Sequence, residues 1–259
     1  VFAGWLTDPQ NPWFARNIVN RVWYWLNGRG IVHEPDDMRP SNPPSNPKLL
    51  AYLEKQLVDN HYDLKHIYRL ILNSRTYQLS AITTPANSWD QQMFSHYMPR
   101  RLTAEQVMDA INQVTQTTDT FTSRIPEPYT VLPQGTRAVQ LEDGSIGLPI
   151  LSLFGRPTRD SSYESERCND TSMSQALFMI NAEDVSRKVS RSPYLKELLK
   201  NQDDEQVING IYLTALSRTP SAEKMQQLKD YFGKVENRRD AVSDLLWAVL
   251  NSREFLFNH

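Results

Sequence analysis

The chain predicts a mainly α protein, a multi-helix bundle interrupted by one irregular insert that has room for a short hairpin. Apolar residues recur at three- and four-residue intervals through most of its length, and Pro or a capping side chain precedes several of those stretches. One long segment, 117–170, has neither signal.

Asn11 can cap a helix whose first position is Pro12, where a missing N–H costs nothing, and Phe14, Ile18, Val22 and Trp25 give it a helical stripe until Gly28 ends it. The next segment, 31–47, carries Pro35, Pro40, Pro43, Pro44 and Pro47. That density forbids a helix or a central strand and favours an extended, fixed connection. Pro47 then opens a second helix with Leu49, Leu50, Leu53 and Leu57 on one side. Asp63 caps a third, through Leu64, Ile67 and Ile71, and the three should pack together.

Thr103 and Gln106 have capping-box spacing ahead of Val107, Ala110, Ile111 and Val114, and Ser172 and Gln175 repeat it ahead of Leu177 and Ile180. Between these helices lie Pro126, Pro128, Pro133, Pro149 and Pro157, with Asp143-Gly144 between the β-prone runs Arg137 to Leu141 and Ser145 to Ile150. A structureless loop of that length is out of place in a compact domain, so the insert should pack on the helices or form part of a site. Helix then returns: Pro193 before Tyr194, Leu195 and Leu198; Val207, Ile211 and Ala215; Met225, Leu228 and Phe232; Ala241, Leu245 and Val249. The organisation is an N-terminal helical part, 1–116, the insert, 117–170, and a C-terminal helical part, 171–259, packed as one compact domain. Leu72-Asn73-Ser74-Arg75-Thr76-Tyr77 and Leu250-Asn251-Ser252-Arg253-Glu254-Phe255 echo one another. They read either as a shared helix-ending device or as a duplicated helical hairpin.

Composition excludes several functions. With 28 Lys and Arg against 30 Asp and Glu in 259 residues, the chain lacks the basic excess of a nucleic-acid module. Cys168 is the only cysteine, which excludes an intramolecular disulfide and a cysteine-based structural zinc site. No apolar run approaches the roughly 20 residues that span a bilayer. The chain carries no Gly-x-Ser-x-Gly elbow, His-Glu-x-x-His, phosphate loop or Cys-x-x-Cys-His, so no complete catalytic or haem-attachment set is present.

Incomplete constellations remain. His33-Glu34 followed by Asp36-Asp37 could ligate a divalent cation, calcium before others, although carboxylates in a proline-rich turn more often cap amides or pair with Arg29 and Arg39. Arg16, Asn20 and Arg21 project from the first strongly marked helix. The arginines read as ion-pair partners for Asp36, Asp37 or Glu105, or the set as a clamp for an anionic group. Trp13, Trp23, Tyr24 and Trp25 could stack on sugars or bases, but at helical spacing at least half of them must be core. Arg100, Arg101, Arg156, Arg159 and Arg167 concentrate positive charge around the insert, with Asp160, Glu164 and Glu166 offsetting it. The first reading is salt bridges tying insert to bundle; the second is a pocket for a sulfated or carboxylated ligand.

Several motifs in one order resemble the planctomycete-type PSD1 domain, DUF1553. They include Asn11-Pro12-Trp13-Phe14-Ala15-Arg16, Val19-Asn20-Arg21-Val22-Trp23, Gly28-Arg29-Gly30, Asp36-Asp37 and Asn42-Pro43-Pro44-Ser45. Tyr62-Asp63-Leu64-Lys65, Arg100-Arg101-Leu102-Thr103-Ala104-Glu105, Phe154-Gly155-Arg156-Pro157, Glu166-Arg167 and Ser174-Gln175-Ala176-Leu177 continue the series. The chain departs from the pattern at Tyr163-Glu164-Ser165, where members of this subtype often carry Cys-x-Cys. The resemblance implies the C-terminal part of a large exported protein, periplasmic or at the cell envelope, often with a PSCyt2 domain and sometimes a cytochrome-c-like domain. Any haem would then sit in another domain, and this one would hold no cofactor.

Three functions follow. The first is a non-catalytic interaction or scaffold module whose partners are other domains of the same polypeptide or envelope proteins. The second is a module, enzymatic or not, that binds polyanionic glycans in an Arg/Asp cleft near the insert. The third is a docking partner for a haem domain in electron transfer.

Overall fold

Capping side chains set most helix starts, because the first amides of a helix have no partner inside it. In the computed structural model, which describes residues 1–123, 130–142, 144–161 and 163–258, the chain forms two units. One is built from 1–100 with 163–165, the other from 101–162 with 166–258. The boundary at Arg100–Arg101 falls ahead of the division at 116 read from the sequence, so the Thr103-capped helix belongs with the insert and the C-terminal helices.

The first unit contains α1 (Phe2–Leu6), α2 (Phe14–Asn27), α3 (Pro47–Asp59) and α4 (Leu64–Leu72). Asn46 caps α3 ahead of Pro47, and Asp63 caps α4, as their sequences require. α2 starts two residues later than Pro12. The Asn11 carboxamide accepts from the amides of Trp13 and Phe14 at 2.9 and 3.4 Å, and so shapes the turn into the helix. Gly28 ends α2 in the left-handed region, φ 77°, where a side chain would be strained. The core face of α2 is Ala15, Val19, Val22 and Trp23, packed with Leu50, Leu53, Leu57, Ile67 and Ile71 and with Ile31 and Val32 of the proline-rich segment. Phe14 and Ile18 sit half-buried at its edge and Trp25 is exposed, so the buried stripe is rotated from the one read in the sequence. α2 is apolar on adjacent faces, and only packing decides between them.

The second unit contains α5 (Ala104–Thr115), α6 (Pro149–Leu153), α7 (Met173–Asn181), α8 (Glu183–Ser190), α9 (Pro193–Leu198), α10 (Asp204–Leu216), α11 (Ala222–Phe232), α12 (Arg238–Leu250) and α13 (Arg253–Leu256). Both capping boxes form, at Thr103/Gln106 and Ser172/Gln175. α5 packs against α6, α8, α9 and α10, and α12 against α8 to α11 and α13, enclosing Val107, Ile111, Leu195, Ile208, Ile211 and Leu246.

The insert pairs Thr122–Ser123 with Thr130–Val131 in antiparallel register rather than the runs flanking Asp143-Gly144. Arg137 to Leu141 instead makes a 3₁₀ turn over Ala138–Gln140, and Ser145 to Ile150 leads into α6 at Pro149. The reason is Asp109 of α5, whose carboxylate accepts from the amides of Ala138 and Val139 at 2.7 and 3.1 Å and takes donors a ladder would need. Pro126, Pro128 and Asp143 lie outside the described residues.

The echoed hexapeptides share one helix-ending device. The carboxamides of Asn73 and Asn251 donate to the carbonyls of Arg69 and Trp247, four residues back, at 2.8 and 2.9 Å. The hydroxyls of Ser74 and Ser252 accept from the amides of Tyr77 and Phe255 at 3.2 and 3.1 Å. Among the described residues no helix is long and apolar enough to cross a membrane.

Candidate functional site

In the first unit α2 fastens the proline-rich segment. Asn20 is fully buried; its carboxamide donates to the carbonyls of Val32 and Pro35 at 2.9 and 3.1 Å and accepts from the Val32 amide at 2.9 Å. Three of the four hydrogen-bonding positions of this carboxamide are thus met by backbone, which holds that backbone still in water-poor surroundings. The next residue, Arg21, donates to Asp36 at 2.6 Å through Nε, and the second oxygen of Asp36 accepts from the Glu164 amide at 2.8 Å. Arg16 pairs with Glu54 of α3 at 3.1 Å, not with Asp36, Asp37 or Glu105.

Asp37 turns to Arg39 instead, with Nη2 2.7 Å from Oδ2. His33 lies 3.3 Å from the Glu34 carboxylate and stacks on Tyr24. Its imidazole is held below the ordinary value, first by burial and further by the charge of Arg29, against the opposing pull of Glu34. His33 and Glu34 thus face each other while Asp36 and Asp37 turn to Arg21 and Arg39, and among the described residues no three His, Cys, Asp or Glu side chains gather as a metal ion would require. Arg100 lies across Gly28, and Tyr97, whose hydroxyl burial pushes up, donates to the Leu26 carbonyl at 3.4 Å.

In the second unit the arginines around the insert converge on Glu105 of α5. Arg167 grips its carboxylate with two bonds, at 2.7 and 3.0 Å, and Nε of Arg156 lies 3.7 Å away. The side chains of Glu105 and Arg156 are 5% and 3% exposed, so this is an interior ion-pair cluster. Burial works against the Glu105 charge most strongly. The two Arg167 bonds, the Arg167 charge, a backbone amide and Arg156 together outweigh it and hold the carboxyl below the ordinary range. Arg156 also donates to the carbonyls of Ile146 and Leu141 at 2.7 and 3.3 Å.

Arg101 lies over the Phe154 ring and donates to the carbonyls of Leu102, Phe154 and Cys168 at 3.1, 3.0 and 3.3 Å; burial lowers its pKa. Gly155, φ 80°, lets these strands of backbone meet: a Cβ there would stand 1.9 Å from the Cys168 carbonyl oxygen. Arg159 and Glu166 serve the insert's own backbone, Arg159 donating to the Glu142 carbonyl at 2.7 Å and Glu166 accepting from the Ser161 amide. Such guanidiniums fix irregular backbone by supplying donors to carbonyls that no ladder satisfies.

Of the residues singled out in the sequence, then, Arg21 joins Asp36, and Arg101, Arg156 and Arg167 meet around Glu105 and Gly155. Sequence reasoning missed Asp109, the second buried carboxylate of α5. Its four-residue spacing from Glu105 puts both on one helix face, and that spacing was the available signal.

Among the described residues, the surfaces open to other molecules include two grooves and an apolar helix face. A groove of about 330 Å³ beside α2 is edged by Trp13, 53% exposed, with Arg16 and Arg39, and lined by Pro40, Pro43 and Pro44. A cleft of about 380 Å³ lies between α5, the insert, α7 and α8. On α7 itself Gln175 and Met179 point inward, while Met173, Leu177 and Ile180, spaced along one side, are 75%, 51% and 51% exposed.

One family model matches the chain, over residues 1–232: PSD1, described as a protein of unknown function (DUF1553). Neither a curated protein nor a solved structure matches it.

Proposed function

The chain belongs to the PSD1 family (DUF1553), and we propose that it is a non-catalytic interaction module of a larger exported protein, docking another domain or an envelope protein through α7. The observation that carries this reading is the outward row Met173, Leu177 and Ile180, large apolar side chains exposed on a helix already anchored by Gln175 and Met179. Contiguous exposed apolar side chains mark association surfaces far more often than scattered ones do. The candidate arginines supply the other half of the case, because Arg101, Arg156 and Arg167 are engaged with carbonyls and Glu105 inside the second unit.

A photo-crosslinking residue at Leu177, introduced into the protein in its native cells, should give one dominant adduct. The same probe at exposed Lys224 should not, and Met173→Glu with Ile180→Glu should abolish the adduct. Equal labelling from both positions, or none from Leu177, overturns the proposal. An adduct to a haem domain would select the electron-transfer form of it.

A second reading, binding of a polyanionic glycan, is favoured by one observation: Trp13 presents an exposed indole beside Arg16 on the proline-lined groove. Retention on a sulfated polysaccharide that Trp13→Ala and Arg16→Ala each weaken would support it; retention unchanged in both variants would remove it.

A further inference from the structure

We infer that the cleft between α5, the insert and α8 in the second unit is a binding site for a small carboxylic acid with an apolar body. The cleft measures about 380 Å³, within the roughly 300–1,000 Å³ of sites that enclose small ligands. Its floor is apolar and belongs to the core: Met108 and Ile111 of α5 and Val185 of α8 are 3%, 1% and 2% exposed, and Phe178 of α7 closes one side. An apolar floor with a few convergent charges is the composition that orients a ligand by one end while burying the other.

The charges decide which end. Lys188 is held at one wall by two groups: it donates to Asp119 at 2.7 Å and to Asn112 at 2.6 Å, and Asn112 donates in turn to the second Asp119 oxygen at 2.7 Å. Arg187 pairs with Asp184 one turn back on α8. Lining the same cleft, Arg191 caps α8 and has no ion-pair or side-chain hydrogen-bond partner among the described residues. Three cations therefore meet two carboxylates, and the unmatched charge is positive. A guanidinium answers a carboxylate with two parallel hydrogen bonds, which fixes the acid end of the ligand at Arg191 and directs its body toward Met108 and Phe178. An amine would meet Arg191 and Lys188 with like charge. A neutral body would gain the floor and lose the anchor.

The site is independent of the α7 outer row, since Phe178 faces the cleft while Leu177 and Ile180 face outward. Octanoate, octanol and octylammonium probe the two halves of the inference separately, by isothermal titration and by amide chemical shifts. Octanoate should bind saturably and shift the amides of Met108, Ile111, Val185 and Arg191, and octylammonium should not bind. Octanol should bind about tenfold more weakly than octanoate, the expected loss of one charge-assisted contact. Arg191→Ala, at an exposed position, should weaken octanoate by about the same factor and leave octanol unchanged. Val185→Trp, which fills the floor, should abolish both, with Phe178→Ala as the enlarging control if the tryptophan variant does not fold. No saturable octanoate binding, equal binding of all three probes, or shifts elsewhere on the unit would each overturn the inference.

Discussion

Two places in the molecule solve one problem with different chemistry. In the first unit α2 holds a proline-rich segment; in the second α5 holds a long insert. α2 uses a neutral carboxamide, Asn20, at the centre and puts its ion pair, Arg21–Asp36, at a partly exposed edge. α5 puts charge at the centre, with Glu105 and Arg156 nearly closed to solvent. A carboxamide gains less from each bond but leaves no net charge behind if a partner moves, whereas a buried carboxylate is tolerable only while every cation stays in place. The proline-rich segment needs only fastening, since proline already restricts its backbone. The insert spreads five prolines over 117–170, and its Leu141, Ile146 and Phe154 carbonyls accept from Arg156 and Arg101, because a guanidinium supplies several donors at once.

The largest effect should come from Glu105→Gln, which leaves Arg156 and Arg167 without their carboxylate. Urea unfolding at neutral pH should show a loss of about 3–5 kcal/mol, the cost of stranding buried charge. The pH dependence follows from the lowered pKa. The folded state binds the Glu105 proton less readily than the unfolded state, so its contribution is fully present above the ordinary value of 4.5 and fades as pH falls through the lower folded value. The gap between wild type and Glu105→Gln should therefore narrow in acid. A gap that stayed constant down to the acid transition would place the destabilisation elsewhere than in the charge.

Asn20→Ala comes next, at about 2–3 kcal/mol, because it orphans the Val32 amide and two carbonyls inside the first unit. Its loss should be independent of pH between 4 and 7, in contrast to Glu105→Gln, and hydrogen exchange should speed at Val32. If Asn20→Ala behaved like an exposed substitution, below about 0.5 kcal/mol, the clamp on the proline-rich segment would have to lie in the prolines alone.

The same contrast sets how far each region could be read in advance. Asn20 to Val32 and Arg21 to Asp36 span twelve and fifteen residues, and a capped helix followed by a proline-dense turn brings those partners together by geometry that local signals announce. Helix starts at Pro47, Asp63, Thr103, Ser172 and Pro193 were legible for the same reason: each cap binds within three residues. Glu105 and Arg167 are 62 residues apart, and nothing local marks the pairing. The misplaced hairpin has the same cause, since Asp109 reaches across 29 residues to take the amides that local propensity had assigned to a strand. The open surfaces were the least legible of all. Leu177 and Ile180 show the period of a buried stripe, yet their exposure depends on what packs against the opposite side of α7.

Asp36→Asn should cost about 1–2 kcal/mol: its partly exposed ion pair is lost, while an amide oxygen can still accept from Glu164. Asp36→Ala should cost more by removing that acceptor as well, and the difference between the two variants isolates the backbone contact from the charge.

Arg16 marks the other end of the scale. Its side chain is 40% exposed and its pair with Glu54 is screened by water, so a double-mutant cycle of Arg16→Ala and Glu54→Ala should give a coupling below about 0.5 kcal/mol that vanishes in molar salt. A small coupling is also what leaves Arg16 available to a ligand, because a guanidinium that gains little from its neighbour gives up little by turning toward the Trp13 groove. A coupling above 1 kcal/mol that survives salt would assign Arg16 to the framework, alongside Arg21, and would take the anionic anchor out of that groove. The stability measurement on Arg16 therefore decides between two uses of the same side chain before any ligand is tried.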